Sequence, residues 1–303
     1  MDTGSEGART IELSEQESGT SAGGTEDARF VLSAFDARAD AWEEYTATPL
    51  GRLRQDLTLR HLARHLGSPP SCLTILDAGG GTGGYGIPLA AQGHRVCILD
   101  FSAPMLAIAR DRARRMDPPL LERVEFCCAG VQDASLLFAS EHFDVVLCHT
   151  LLEYVEQPDE TIGTLASVLR PGGMISLLFV TPYADALRWA LVREDLDKAR
   201  LSLSHQVSSA DLFGLPRRAF PAGAIRESLV REGMEVLAEY GIRVFADYLP
   251  PERLADPDFF SLLMELEAAA GTLSPYKDIA RYTLIVGRKS RARYAEHGPP
   301  ARR

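Results

Sequence analysis

Five glycines, Gly79, Gly80, Gly81, Gly83 and Gly84, fall between two apolar runs. Asp77 closes the first run and Asp100 the second. Glycine has no Cβ and adopts positive φ without penalty, so such a cluster lets the backbone turn tightly and approach a ligand. An acid at the end of the second strand can take the two hydroxyls of a ribose. Asp77, Gly79, Gly80, Gly81, Gly83 and Asp100 are therefore candidate nucleotide contacts. The spacing Gly79-x-Gly81-x-Gly83 departs from the G-x-G-x-x-G of dinucleotide sites. Further along, His149 follows the apolar run Phe143–Cys148, the kind of place where open α/β sheets put ligand contacts.

The elements that must position these residues follow from pattern. Thr74–Leu76 and Arg95–Leu99 read as buried parallel strands, with a helix over 84–92 stopped by Gly93. Ser102 caps a helix whose buried stripe is Met105, Leu106, Ile108 and Ala109. Arg123–Cys128 is the third strand, and the loop after it puts Val131 and Gln132 where an adenine would lie. Phe143–Cys148 is the fourth strand, 159–169 a helix, and Met174–Val180 the fifth strand after the turn at 170–173. These imply an α/β, Rossmann-like fold with a seven-stranded, mostly parallel sheet and an antiparallel edge strand.

Around that core, residues 1–28 carry almost no large apolar side chains and are expected to be disordered. Residues 29–70 form N-terminal helices. One runs over 29–45 with Phe35, Ala39, Trp42 and Tyr45 on one face, either packed on the core or closed over the site; a second runs over 48–66 and carries Arg52, Arg54, Arg60 and Arg64. His61 and His65 stand one turn apart, but no third ligand is near, so no metal site is read. The sheet core spans 71–180. An insertion at 181–233 forms a cap with a helix over 184–200, and such insertions shape substrate pockets. Residues 234–289 complete the sheet, 235–248 and 282–287 being the antiparallel edge pair. A basic tail, 290–303, follows.

The formal net charge of −10 excludes broad coating of nucleic acid while permitting a local basic patch. Cys72, Cys97, Cys127, Cys128 and Cys148 include no C-x-x-C pair and read as buried thiols in a reducing compartment. No stretch approaches the length of a membrane span, and a cytoplasmic protein is expected.

The glycine spacing with Asp77 resembles motif I of the class I S-adenosylmethionine (SAM) methyltransferases. Beyond it, PLGRLRQDL, GHRVCILDFSAPML, FDVVLCHTLLEYV, LRPGGMISLLF and GIRVFADYL are similar to segments of the tRNA 5-carboxymethoxyuridine methyltransferases, from about Tyr45 to Lys289. That resemblance implies SAM as cofactor and a carboxylate as methyl acceptor. It implies that Arg54 pairs with the methionine carboxylate and that Gly79 and Gly80 approach the methionine and ribose. Asp100 would hold the ribose, Val131 and Gln132 the adenine, and His149 would flank the sulfonium. A carboxylate needs a cation to hold it and no base; Arg243 and Arg281 are the candidates, with Tyr248 and Tyr282 as donors. For a phenol, hydroxyl or amine, His149 would be the base.

The cap lacks the run of lysines that a tRNA-acting relative carries and offers only Arg217 and Arg218 near its end. A free small-molecule acid or natural product is therefore an alternative acceptor to a tRNA nucleotide. A SAM-binding protein without transferase activity is a third reading.

Overall fold

The computed structural model describes residues 10–12, 26–67, 72–204, 207–208 and 212–291. Most of the tail expected at 1–28 and nearly all of the basic tail lie outside the described residues. Strands β1 (Thr10–Glu12), β2 (Thr74–Ala78), β3 (Arg95–Asp100), β4 (Val124–Cys128), β5 (Phe143–His149) and β6 (Leu169–Val180) are parallel neighbours in the order β1-β4-β3-β2-β5-β6. A small separate ribbon, β7 (Val207–Ser208) with β8 (Arg217–Arg218), lies in the cap. The main sheet ends with β9 (Met234–Ile242) and β10 (Tyr282–Lys289) in the order β6-β10-β9.

Apolar residues on both faces of the central strands explain this architecture. Ile75 and Ile98 join one hydrophobic cluster while Leu76 and Leu99 join the other, as the alternation of a strand requires. Helices α1 (Glu26–Ala37), α2 (Ala39–Ala47), α3 (Pro49–Ala63), α4 (Gly86–Ala91), α5 (Ala103–Met116), α6 (Ala134–Leu137) and α7 (Pro158–Val168) precede β6. The cap begins with α8 (Tyr183–Leu191) and α9 (Leu196–Ser202), and α10 (Ala222–Arg231), α11 (Pro251–Leu254) and α12 (Pro257–Ala270) complete the set.

Several expectations require correction, but the antiparallel edge pair is as expected; β9 is outermost and β10 lies between it and β6. Burial explains the order: Tyr282–Gly287 is buried throughout, whereas the middle of β9 is only half-buried and suits an edge. An eighth strand, β1, pairs with β4 inside the stretch expected to be disordered. The single helix expected over 29–45 breaks at Arg38, and the break brings Phe35 of α1 and Trp42 of α2 onto the same ring, Phe213. The cap helix breaks between α8 and α9, where Glu194 takes φ +53° and the Asp195 side chain accepts the Lys198 N–H at 2.9 Å. That local cap competes with helix continuation. Tyr248 lies in a 3-10 turn, Ala246–Tyr248, because β9 stops at Ile242.

One buried contact fixes the turn after β9. Glu267 of α12 accepts the N–H groups of Val244, Phe245 and Ala246 at 2.6, 2.9 and 2.8 Å. Arg243, immediately before them, has φ +64°, a left-handed conformation that an arginine holds only where its surroundings impose it. Glu267→Ala would leave three buried donors without acceptors. We expect a loss of about 3 kcal/mol or more in urea unfolding, with Glu267→Gln falling between it and the wild type.

Candidate active site

The carboxyl ends of β2, β3 and β5 open into one cavity of about 630 Å³, within the size range of small-ligand sites. Its floor is the glycine loop between β2 and α4. Gly79 and Gly81 take φ +67° and +53°, and a Cβ on Gly80 would stand 2.9 Å from the Asp77 carboxylate, so backbone conformation at two of these positions and crowding at the third favour glycine. Asp100, at the end of β3, accepts the Gly81 N–H at 2.8 Å on Oδ2 and the Ser102 N–H at 2.9 Å on Oδ1. Each oxygen keeps a second lone pair for a further donor. Burial, with a smaller push from Asp36, raises its pKa to about 6 against the pull of those two N–H groups.

Trp42, Tyr45 and Arg54 come down on this floor from α2 and α3. Arg54 is almost wholly buried, its guanidinium 4.9 Å from the Trp42 ring and 5.3 Å from that of Tyr45. No carboxylate among the described residues pairs with it, and its Nε has no acceptor. What the described residues set against this buried charge are the ring faces of Trp42, Tyr45 and Tyr282. His149 lies beside it, edge-on to Tyr85, with Nε2 2.9 Å from the Ser176 hydroxyl and Nδ1 unpartnered. Burial, helped by the Arg54 charge, pushes its pKa down to about 3, so the ring stays neutral and is a weak base at pH 7.

The far wall is a cluster of charges. Arg243 forms a bidentate pair with Asp247 and donates to the Tyr45 hydroxyl at 2.8 Å. Arg281 pairs with Asp185. Arg188 approaches both carboxylates from α8. Tyr282 faces Arg243, whose charge, with those of Arg54, Arg217 and Arg281, outweighs burial and lowers the phenol to about 7. Glu153 sits between the halves. Its Oε1 accepts the Val180 N–H at 2.8 Å, and burial raises its pKa to about 7.

Of the residues singled out from sequence, the cavity brings together Arg54, Gly79, Gly80, Gly81, Asp100, His149, Arg243, Arg281 and Tyr282. Asp77 lies beneath the loop, where it accepts the Gly86 N–H at 2.9 Å and so anchors α4; it does not line the cavity. Gly83 is a packing position, since a Cβ there would meet Ile87 at 2.5 Å. Val131, Gln132 and Tyr248 also lie off the cavity wall. Val131 packs in the core and Gln132 folds over Gly130. His61 and His65 instead engage Tyr240, His61 by stacking at 4.1 Å and His65 through a 2.9 Å hydrogen bond.

Sequence reasoning did not pick out Tyr85, Glu153, Asp185, Arg188 or Asp247. Only Asp247, four residues from Arg243 in sequence, carried a local signal.

Residues 75–173 match a family model described as a methyltransferase domain. The tRNA 5-carboxymethoxyuridine methyltransferase of Escherichia coli K12 is 32% identical over 247 residues, covering 81% of this chain and 92% of that protein. The chain belongs to the tRNA 5-carboxymethoxyuridine methyltransferase family. A ubiquinone biosynthesis O-methyltransferase of Paramagnetospirillum magneticum is also 32% identical, over 53% of this chain and 65% of its own length. Among solved structures, the magnesium protoporphyrin IX methyltransferase of Synechocystis with bound S-adenosylhomocysteine superposes with a TM-score of 0.57 at 17% identity. The match covers 88% of this chain and all of that one, a likeness of fold.

The protein is thus a class I SAM-dependent methyltransferase, and SAM is its cofactor. The cavity fits that group: a side-chain-free glycine floor, an aspartate with spare lone pairs, and a buried arginine with no carboxylate partner. If Asp100 holds the ribose as a carboxylate, lowering the pH through about 6 protonates it and binding must expel that proton. Calorimetry should then show S-adenosylhomocysteine affinity falling by up to about tenfold per pH unit below that point. Asp100→Asn should bind weakly and lose this step; His149, neutral down to about 3, does not contribute in that window.

Proposed function

We propose that this methyltransferase esterifies a carboxylate, and that the acceptor is a modified uridine of tRNA, as the name of the Escherichia coli relative says of that protein. The observation that carries the carboxylate is the guanidinium cluster around Arg243 and Arg281, deep in the cavity that also contains the glycine floor. Cations attract an acceptor that is already anionic at neutral pH, and such an acceptor needs no base. The neutral, weakly basic His149 agrees with that division of labour.

Bound in this cavity, SAM would supply a methyl on a sulfonium; transfer to a carboxylate oxygen, with the carbon–sulfur electron pair left on sulfur, would give a thioether and an ester with no proton moved. The chain's own residues bind, orient and exclude water. Arg54 would take the methionine carboxylate, and Trp42, Tyr45 and Tyr85 would close the space around it. His149, tethered to Ser176, would present an uncharged edge beside the sulfonium. The Tyr282 ring, 5.7 Å from the Arg54 guanidinium and 5.5 Å from that of Arg243, would line the space between cofactor and acceptor.

A second reading, a small organic acid as acceptor, is favoured by the cap surface. Between 191 and 204 the charges cancel, Arg193, Lys198 and Arg200 against Glu194, Asp195 and Asp197. Leu191, Leu196 and Leu203 are exposed there. Such a face lacks the excess positive charge that phosphate contacts demand. Incubation with methyl-labelled SAM and tRNA carrying the free acid should give an alkali-labile label on the wobble nucleoside. Label on small acids alone would replace the tRNA reading with the second. Arg54→Ala should weaken S-adenosylhomocysteine binding by about tenfold or more, the worth of a charge-assisted pair, and an unchanged affinity would remove Arg54 from that role.

A further inference from the structure

The charged wall of the cavity does not balance. Among the described residues Arg188, Arg243 and Arg281 share two carboxylates, Asp185 and Asp247, so the guanidiniums outnumber the carboxylates they pair with by one. The three arginines are not equivalent. Arg243 and Arg281 have side chains 5% exposed and hold Asp247 and Asp185 at close range. Arg188 is 30% exposed, its Nη1 is 3.4 Å from Asp185, and its Nε is 3.7 Å from Asp247. Contacts of that length are weak or absent as hydrogen bonds. No described residue accepts from its Nη2. The unspent donors and the uncompensated charge therefore coincide on one side chain, supplied by the cap rather than by the sheet.

We propose that Arg188 is the residue that receives the anionic group of the methyl acceptor, and that the site is built for a single carboxylate on an apolar or aromatic body. Arg243 and Arg281 are then positioning residues: they hold the two aspartates that hold Arg188 over the cavity. Trp189, next to it in sequence, and Phe213 line the same cavity and give the acceptor's body an apolar surface. Burial and the neighbouring charge of Arg281 lower the pKa of Arg188, as expected of a cation held among cations until an anion arrives.

The proposal rests on the carboxylate reading above, and the test separates the two. Phenoxyacetate carries a carboxymethoxy group on an aromatic ring, and 2-phenoxyethanol is its uncharged counterpart. Both are titrated by calorimetry into the full chain saturated with S-adenosylhomocysteine. The wild type should bind phenoxyacetate and discriminate against the alcohol. Arg188→Met should weaken phenoxyacetate by about tenfold or more while S-adenosylhomocysteine affinity is retained, and Arg188→Lys should recover part of the loss. Arg188→Met leaves two arginines with two aspartates, so its melting temperature without ligand should equal or exceed the wild type's. A merely structural arginine would lower it. Wild-type phenoxyacetate affinity in Arg188→Met, or a lowered melting temperature with loss of cofactor binding, would overturn the assignment to Arg188. A wild type that binds S-adenosylhomocysteine but treats acid and alcohol alike would overturn the carboxylate reading, and this inference with it.

Discussion

The paired charges of Arg243 and Asp247, removed from solvent together, are the contact on which the far wall of the cavity is built. An isolated charge in a protein interior costs several kcal/mol, and each partner of this pair supplies the close counter-charge that offsets the other's burial. The pair is closed by the left-handed Arg243 and by the turn that Glu267 clamps. Tyr45 of α2 then joins through its hydroxyl, so the N-terminal helices are tied to the far edge of the sheet across the cavity. Removing this pair would loosen both walls at once.

The cofactor half is governed by a different constraint, the close approach of backbone to ligand. There the sheet supplies positions and the glycines supply absence of bulk. Asp77 and Asp100, adjacent at the ends of neighbouring strands, divide the work: one ties the loop to α4 from below, and the other keeps lone pairs facing the cavity. Both are buried and both have raised pKa values, but only Asp100 lines the cavity.

What could be read in the sequence was what is local. The glycine loop, Asp100 and the position of His149 follow from strand ends and spacing, so they were found where expected. The order of β10 and β9 was not legible, because it depends on which apolar run is buried more fully in the finished sheet. The helix breaks at Arg38 and Asp195 were missed because a ring stack with Phe213 and a side-chain cap overrode the amphipathic pattern. Arg54 came only from resemblance, since nothing in its neighbourhood of sequence distinguishes it from Arg52 or Arg60. The cluster of Arg188, Asp185 and Asp247 draws on residues some sixty positions apart, brought together only by the cap folding back over the sheet.

The three-to-two imbalance of that cluster has a consequence for turnover. If the acceptor is the carboxylate proposed above, methyl transfer turns it into an uncharged ester, which erases the attraction that held it in place and leaves the surplus positive charge inside the pocket. The excess that would draw a carboxylate in would then give no corresponding hold on the product, and discharge of the ester would need no separate signal. A pocket with matched charges would lack this asymmetry and would hold acid and ester with more nearly equal strength.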